Sequence, residues 1–191
     1  MTTDDRLLAV AYHEAGHAAA HIALDLPLLW ATIRPDGDAL GGVMGRPTPK
    51  SVDDWLTEGA YGEMPWRVRD RIERQVMALL AGELAQEKQT GTTQGSRVEV
   101  DHPEHGVVIV DGDWHEIIRL LASVEDDEAT RDAYLDWLLA RTRKLLDSGG
   151  VWATVHAIAT ALLQEHRLSG KRLREIASGA RSEWFTAEYG L

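Results

Sequence analysis

The stretch "VAYHEAGHAA", residues 10–19, carries the pattern His-Glu-x-x-His. It lies within "TTDDRLLAVAYHEAGHAAAHIALDLP", residues 2–27, which is rich in alanine and leucine and predicts a long helix. Thr3 or Asp4 offers an N-cap, Asp4 and Asp5 suit the positive end of the helix dipole, and Pro27 marks the end. On that helix His13 and His17 share one face, one turn apart, so both imidazoles can meet a single tetrahedral zinc ion. Glu14 is rotated off the pair. It is better placed to take a proton from an activated water than to bind the metal. Small residues flank the motif (Ala15, Gly16, Ala18, Ala19, Ala20), which lets neighbouring segments come close. The plainer alternatives are buried, hydrogen-bonded histidines or a solvated helix face.

Working outward, "LLWATIRP", residues 28–35, predicts a strand, and "GVMGRP", residues 42–47, a second short one after the turn "DGDALGG". Residues 48–66 are rich in Pro, Gly and charge, with a short helix at 51–60. Apolar residues Ile72, Val76, Leu79, Leu80 and Leu84 recur at three- and four-residue spacing and predict a helix over 66–88. "RVEV" and "VVIV", separated by "DHPEHG", predict a hairpin. Helices follow from near Asp113, over 127–147 and over 149–166, divided by Gly149-Gly150, and a short one from Ser169. The class is mainly α with a small β element. The length suits one domain over 1–191, with 1–123 as the metal-binding part and 124–191 as a C-terminal helical part.

Composition limits the chemistry. The chain has no cysteine, so a metal must be held by His, Asp or Glu. A formal net charge of −11 argues against a nucleic acid or an anionic membrane as partner. The acidic start lacks the features of a signal peptide, and the most apolar stretches, 15–33 and 149–163, are polar-interrupted or too short to span a bilayer. A cytoplasmic protein is expected.

Two histidines and a base leave a third ligand to find. His21 continues the spacing, but eight helical residues span about 12 Å, too far to share an ion with His13 at bond lengths of about 2 Å. His102 and His105 fall in a polar turn, and His156 and His166 read as structural. Among the acids, Asp113 stands at a helix start, where capping is its ordinary role, with Glu116, Glu83 and Glu87 as rivals. Spacing does not choose among them. Of the seven tryptophans, Trp66, Trp137 and Trp152 read as core; Trp30 and Trp114 read as core before cleft.

"AYHEAGHAAAHIAL", residues 11–24, resembles the metal helix of the FtsH-type zinc peptidases. "ATIRPDGDALGGVMGRP" (31–47), "LLAGELAQE" (79–87), "GDWHEIIRLLA" (112–122) and "VWATVHAIATALLQEHRLSG" (151–170) resemble later elements of that family in the same order. The resemblance implies a helical FtsH-like peptidase domain and a Zn2+-dependent metalloendopeptidase. His13, His17 and Asp113 would be the metal ligands and Glu14 the general base. It also implies that the strand near 30–34 or 41–45 pairs with an extended peptide or unfolded protein substrate. The family's ATPase signature Gly-x-x-x-x-Gly-Lys-Ser/Thr is not in this sequence. The chain therefore resembles the peptidase domain alone, ATP-independent by itself, with a separate ATPase or adaptor as a possible supplier of substrate. The alternative is a non-catalytic, zinc-binding or regulatory protein-interaction module that keeps the peptidase fold.

Overall fold

In a computed structural model, which describes residues 3–34, 41–45, 64–91, 97–102 and 106–190, the run around the two histidines is helix α1, Thr3–Ala23. Its alanines 9, 11, 15, 18, 19 and 20 are all buried. With so little side chain between backbones, neighbouring helices come into close contact. A Cβ on Gly16 would lie 2.3 Å from the Ala81 carbonyl oxygen of helix α2 (Trp66–Thr90). Only glycine lets the two helices cross there.

α2 packs along α1 as expected from its periodicity, burying Ile72, Val76, Leu80 and Leu84. It ends at Gly91 in the left-handed conformation, φ 68°. A hairpin of β3 (Arg97–His102) and β4 (Gly106–Asp111) follows, with Val98 opposite Val110 and Val100 opposite Val108. The chain then enters α3 (Gly112–Ala122), which packs on α2. α4 (Glu128–Asp147) is capped by Asp127, whose carboxylate accepts from the Thr130 amide at 2.8 Å. α5 (Gly149–Glu165) packs against α1, and α6 (Gly170–Tyr189) packs on α5. One cluster of buried side chains runs from Val10 of α1 to Leu173 of α6. The chain is mainly helical with a small three-stranded sheet.

That sheet differs from expectation. β1 is shorter than the predicted strand, Trp30–Thr32, and β2 is Gly42–Met44. A third strand, β5 (Arg167–Ser169), pairs on the other side of β1, in the order β2-β1-β5, antiparallel throughout. Three residues between two helices carry no alternation to reveal them. They form a strand because His166, at φ 61°, reverses the chain, so that its carbonyl accepts from the Ile33 amide and Leu168 comes opposite Ala31. Trp30 therefore opens the central strand, and only β2 and β5 are edges.

Two further expectations are corrected. The helix after Ser169 is twenty residues long, with the Ser169 hydroxyl accepting from the Arg172 amide. Trp66 and Trp137 are exposed at 71% and 47%, not core. Trp137 stacks on Tyr134, which is partly buried against the core. The short helix expected at 51–60 lies outside the described residues. Among the described residues no helix is long and apolar enough to cross a membrane.

Candidate metal centre

α1, α2 and α3 meet at the two histidines. The His13 and His17 rings stand edge to face, centroids 4.6 Å apart, with their Nε2 atoms 3.0 Å from each other. Asp113, in the first turn of α3, brings its Oδ2 to 3.2 Å from His13 Nε2 and 3.1 Å from His17 Nε2. These three atoms form a nearly equilateral triangle. A tetrahedral ion with bonds of about 2.0 Å has ligand–ligand edges of about 3.3 Å, so the donors stand close to the spacing that zinc requires. Among the described residues this is the one place where three His or acidic groups bring ligand atoms within 4.8 Å of one another.

The donor set itself calls for a cation. The His17 Nδ1–H donates to the Ala78 carbonyl at 2.8 Å, which leaves Nε2 as the free lone pair of the neutral ring. That lone pair faces another imidazole nitrogen and a carboxylate oxygen. Burial disfavours charge on His17, but the Asp113 carboxylate, helped by Glu14 and the Ala78 carbonyl, outweighs it and pushes the pKa up to about 9. Burial likewise opposes ionisation of Asp113, yet the two histidines hold its carboxyl far below the usual range. A proton satisfies the triangle in the bare protein, and a divalent metal ion would do so more fully.

Glu14 is buried, and its Oε1 lies against the start of β2: a Cβ on Gly41 would sit 2.6 Å from it and 2.8 Å from the Thr32 carbonyl. The carboxylate is thus pinned between α1 and the sheet. It stays near enough to His17 to favour the ring's protonated form.

The structure separates the other candidates from the triangle. His21 donates from Nδ1 to the Pro27 carbonyl at 2.9 Å, and its burial lowers the pKa to about 4. Glu116 pairs with Arg119, and Glu83 accepts from the Trp114 indole at 2.8 Å. His156 meets the Tyr12 hydroxyl at 2.5 Å, and His166 caps α5. The side chains of His102 and His105 lie outside the described residues.

Sequence reasoning left out two contributions from α2. The Ala78 carbonyl fixes the His17 tautomer. Gly82, four residues on, makes room for the ring: a Cβ there would lie 2.3 Å from His17 Nε2. The available signal was a glycine inside a strongly periodic helix, which costs about 1 kcal/mol against alanine and so marks a close approach. No protein-family model matches this chain, and no curated protein matches it.

Proposed function

We propose that this chain is a zinc-dependent endopeptidase of the FtsH type that hydrolyses peptide bonds without ATP, in the cytoplasm. The observation that carries the reading is the triangle of His13 Nε2, His17 Nε2 and Asp113 Oδ2, with the buried Glu14 carboxylate beside it. Those three residues would hold the ion. Bound there, zinc would supply Lewis acidity, lowering the pKa of water to about 7 and polarising a carbonyl. Glu14 would take the proton of the attacking water on its carboxylate and deliver it to the departing amine nitrogen. The Ala78 carbonyl, accepting from His17 Nδ1–H, would keep that imidazole in its orientation.

A peptide substrate fits the geometry of the sheet. Among the described residues β1 is paired on both sides, and β2 (42–44), the strand next to Glu14, is paired only with β1, which supports an added strand on its outer side. Main-chain pairing there would carry an extended or unfolded chain past the base with little demand on its sequence. A separate ATPase or adaptor would deliver folded substrates.

Purified protein should contain about one zinc per chain and cleave an unfolded protein such as casein. Glu14→Gln should keep the zinc and lose activity by about 10²–10⁴-fold. Zinc without hydrolysis across many unfolded substrates would leave a regulatory binding module instead. No zinc at all would refute the metal reading.

A further inference from the structure

We infer that Glu83 is a positioning residue for Asp113, acting through the indole of Trp114; this rests on the metal-centre reading above. The requirement is mechanical. A carboxylate oxygen that completes a three-donor triangle must be held to within tenths of an ångström, yet Asp113 sits at the very start of α3. The residues that bury α3 are Ile117, Leu120 and Leu121, one turn and more beyond it. Among the described residues no atom lies within 4 Å of where a Cβ on Gly112, just before it, would stand. Among the described residues, Trp114 ties the first turn to α2 and the core. Its ring packs against the core, and its Nε1–H donates to Glu83 Oε2 at 2.8 Å.

Glu83 follows Gly82, which seats the His17 ring, and lies five residues beyond Ala78, whose carbonyl takes the His17 Nδ1–H. One stretch of α2 therefore sets both partners of the 3.1 Å contact between His17 and Asp113. His17 is held directly, and Asp113 through the neighbouring indole. Groups that orient metal ligands in this indirect way typically control 10–100-fold of metal affinity.

The test is zinc affinity, by competition with a chromophoric chelator, on the full chain and four variants: Glu83→Ala, Glu83→Gln, Trp114→Phe and the pair Glu83→Ala with Trp114→Phe. The visible spectrum of the cobalt-substituted protein reports the geometry of the site. Expected is a loss of about 10–100-fold for Glu83→Ala and for Trp114→Phe, with no further loss in the pair. The cobalt bands should change in each of these variants. Glu83→Gln keeps an acceptor oxygen and should restore affinity and spectrum. A merely structural role would lower the melting temperature while leaving zinc affinity and the cobalt spectrum unchanged, and that result overturns the inference. So would additive losses in the pair. If wild-type protein fails to bind zinc, the metal reading itself is refuted, which is a different outcome from wild type and Glu83→Ala binding equally well.

Discussion

The imidazole of His17 stands where the side chain of residue 82 would otherwise be: a Cβ on Gly82 would lie 2.3 Å from Nε2 and 2.4 Å from Cε1. In an ordinary helix Gly→Ala is favourable by about 1 kcal/mol. Here the added methyl must displace the ring or part the two helices. Gly82→Ala should destabilise the protein by about 1–3 kcal/mol, in the manner of other overpacked cores, and should also weaken zinc binding. Denaturant unfolding and a metal competition assay check both, and a variant more stable than wild type would contradict this account of Gly82.

Gly41 makes the same kind of contact with Glu14, the proposed base. A Cβ at 2.6 Å from Glu14 Oε1 would push the carboxylate away while leaving all three proposed ligands untouched. Gly41→Ala should therefore retain zinc and lose activity, by as much as about 100-fold, the usual cost of a misplacement near 1 Å. Steady-state hydrolysis alongside metal content separates this from a loss of the site.

Asp113 should have a signature beyond its loss as a ligand. Asp113→Ala should reduce zinc affinity by at least about 100-fold. It also removes the main partner that charges His17, so the metal-free variant should show a His17 pKa well below the wild-type value of about 9, because burial is then opposed only by Glu14 and the Ala78 carbonyl. An NMR titration of the histidines reads this directly. Unchanged zinc content would point to another third ligand.

The metal-free protein should be most stable near pH 6.5. His17 has a folded pKa above its ordinary 6.5, so its contribution is complete below pH 6.5 and is lost as pH rises towards 9. His21 is the opposite case. Its folded pKa is about 4, so between pH 6.5 and 4 the unfolded chain takes up the proton first and stability falls. Each limb is on the order of 3 kcal/mol at most. Melting temperatures in the presence of chelator should trace this peak. Added zinc should abolish the alkaline limb and displace the His17 proton between pH 6.5 and 9.

Much of the architecture was legible because its causes are local. The α2 periodicity, the β3–β4 hairpin and the break between α4 and α5, which falls at Ser148 just before Gly149-Gly150, come from neighbours within a few residues. The strand β5 was not legible, since it exists only through its pairing with β1 more than a hundred residues away. The exposure of Trp66 and Trp137 was not legible either. A large apolar side chain is usually buried, but whether a given helix face meets another element depends on packing.

For the candidate site the division is sharper. The sequence alone determined that His13 and His17 share a helical face with Glu14 turned aside, because that follows from 3.6 residues per turn. It also removed His21, since helical rise is as fixed as helical angle. Only the tertiary structure decided that Asp113 comes to both histidines, across separations of 100 and 96 residues, while Glu83 and Glu116 are engaged elsewhere. No local rule governs such a meeting. It depends on α2 lying close enough on α1, through Gly16 and Gly82, for its next neighbour α3 to bring a carboxylate within 3.2 Å of both rings.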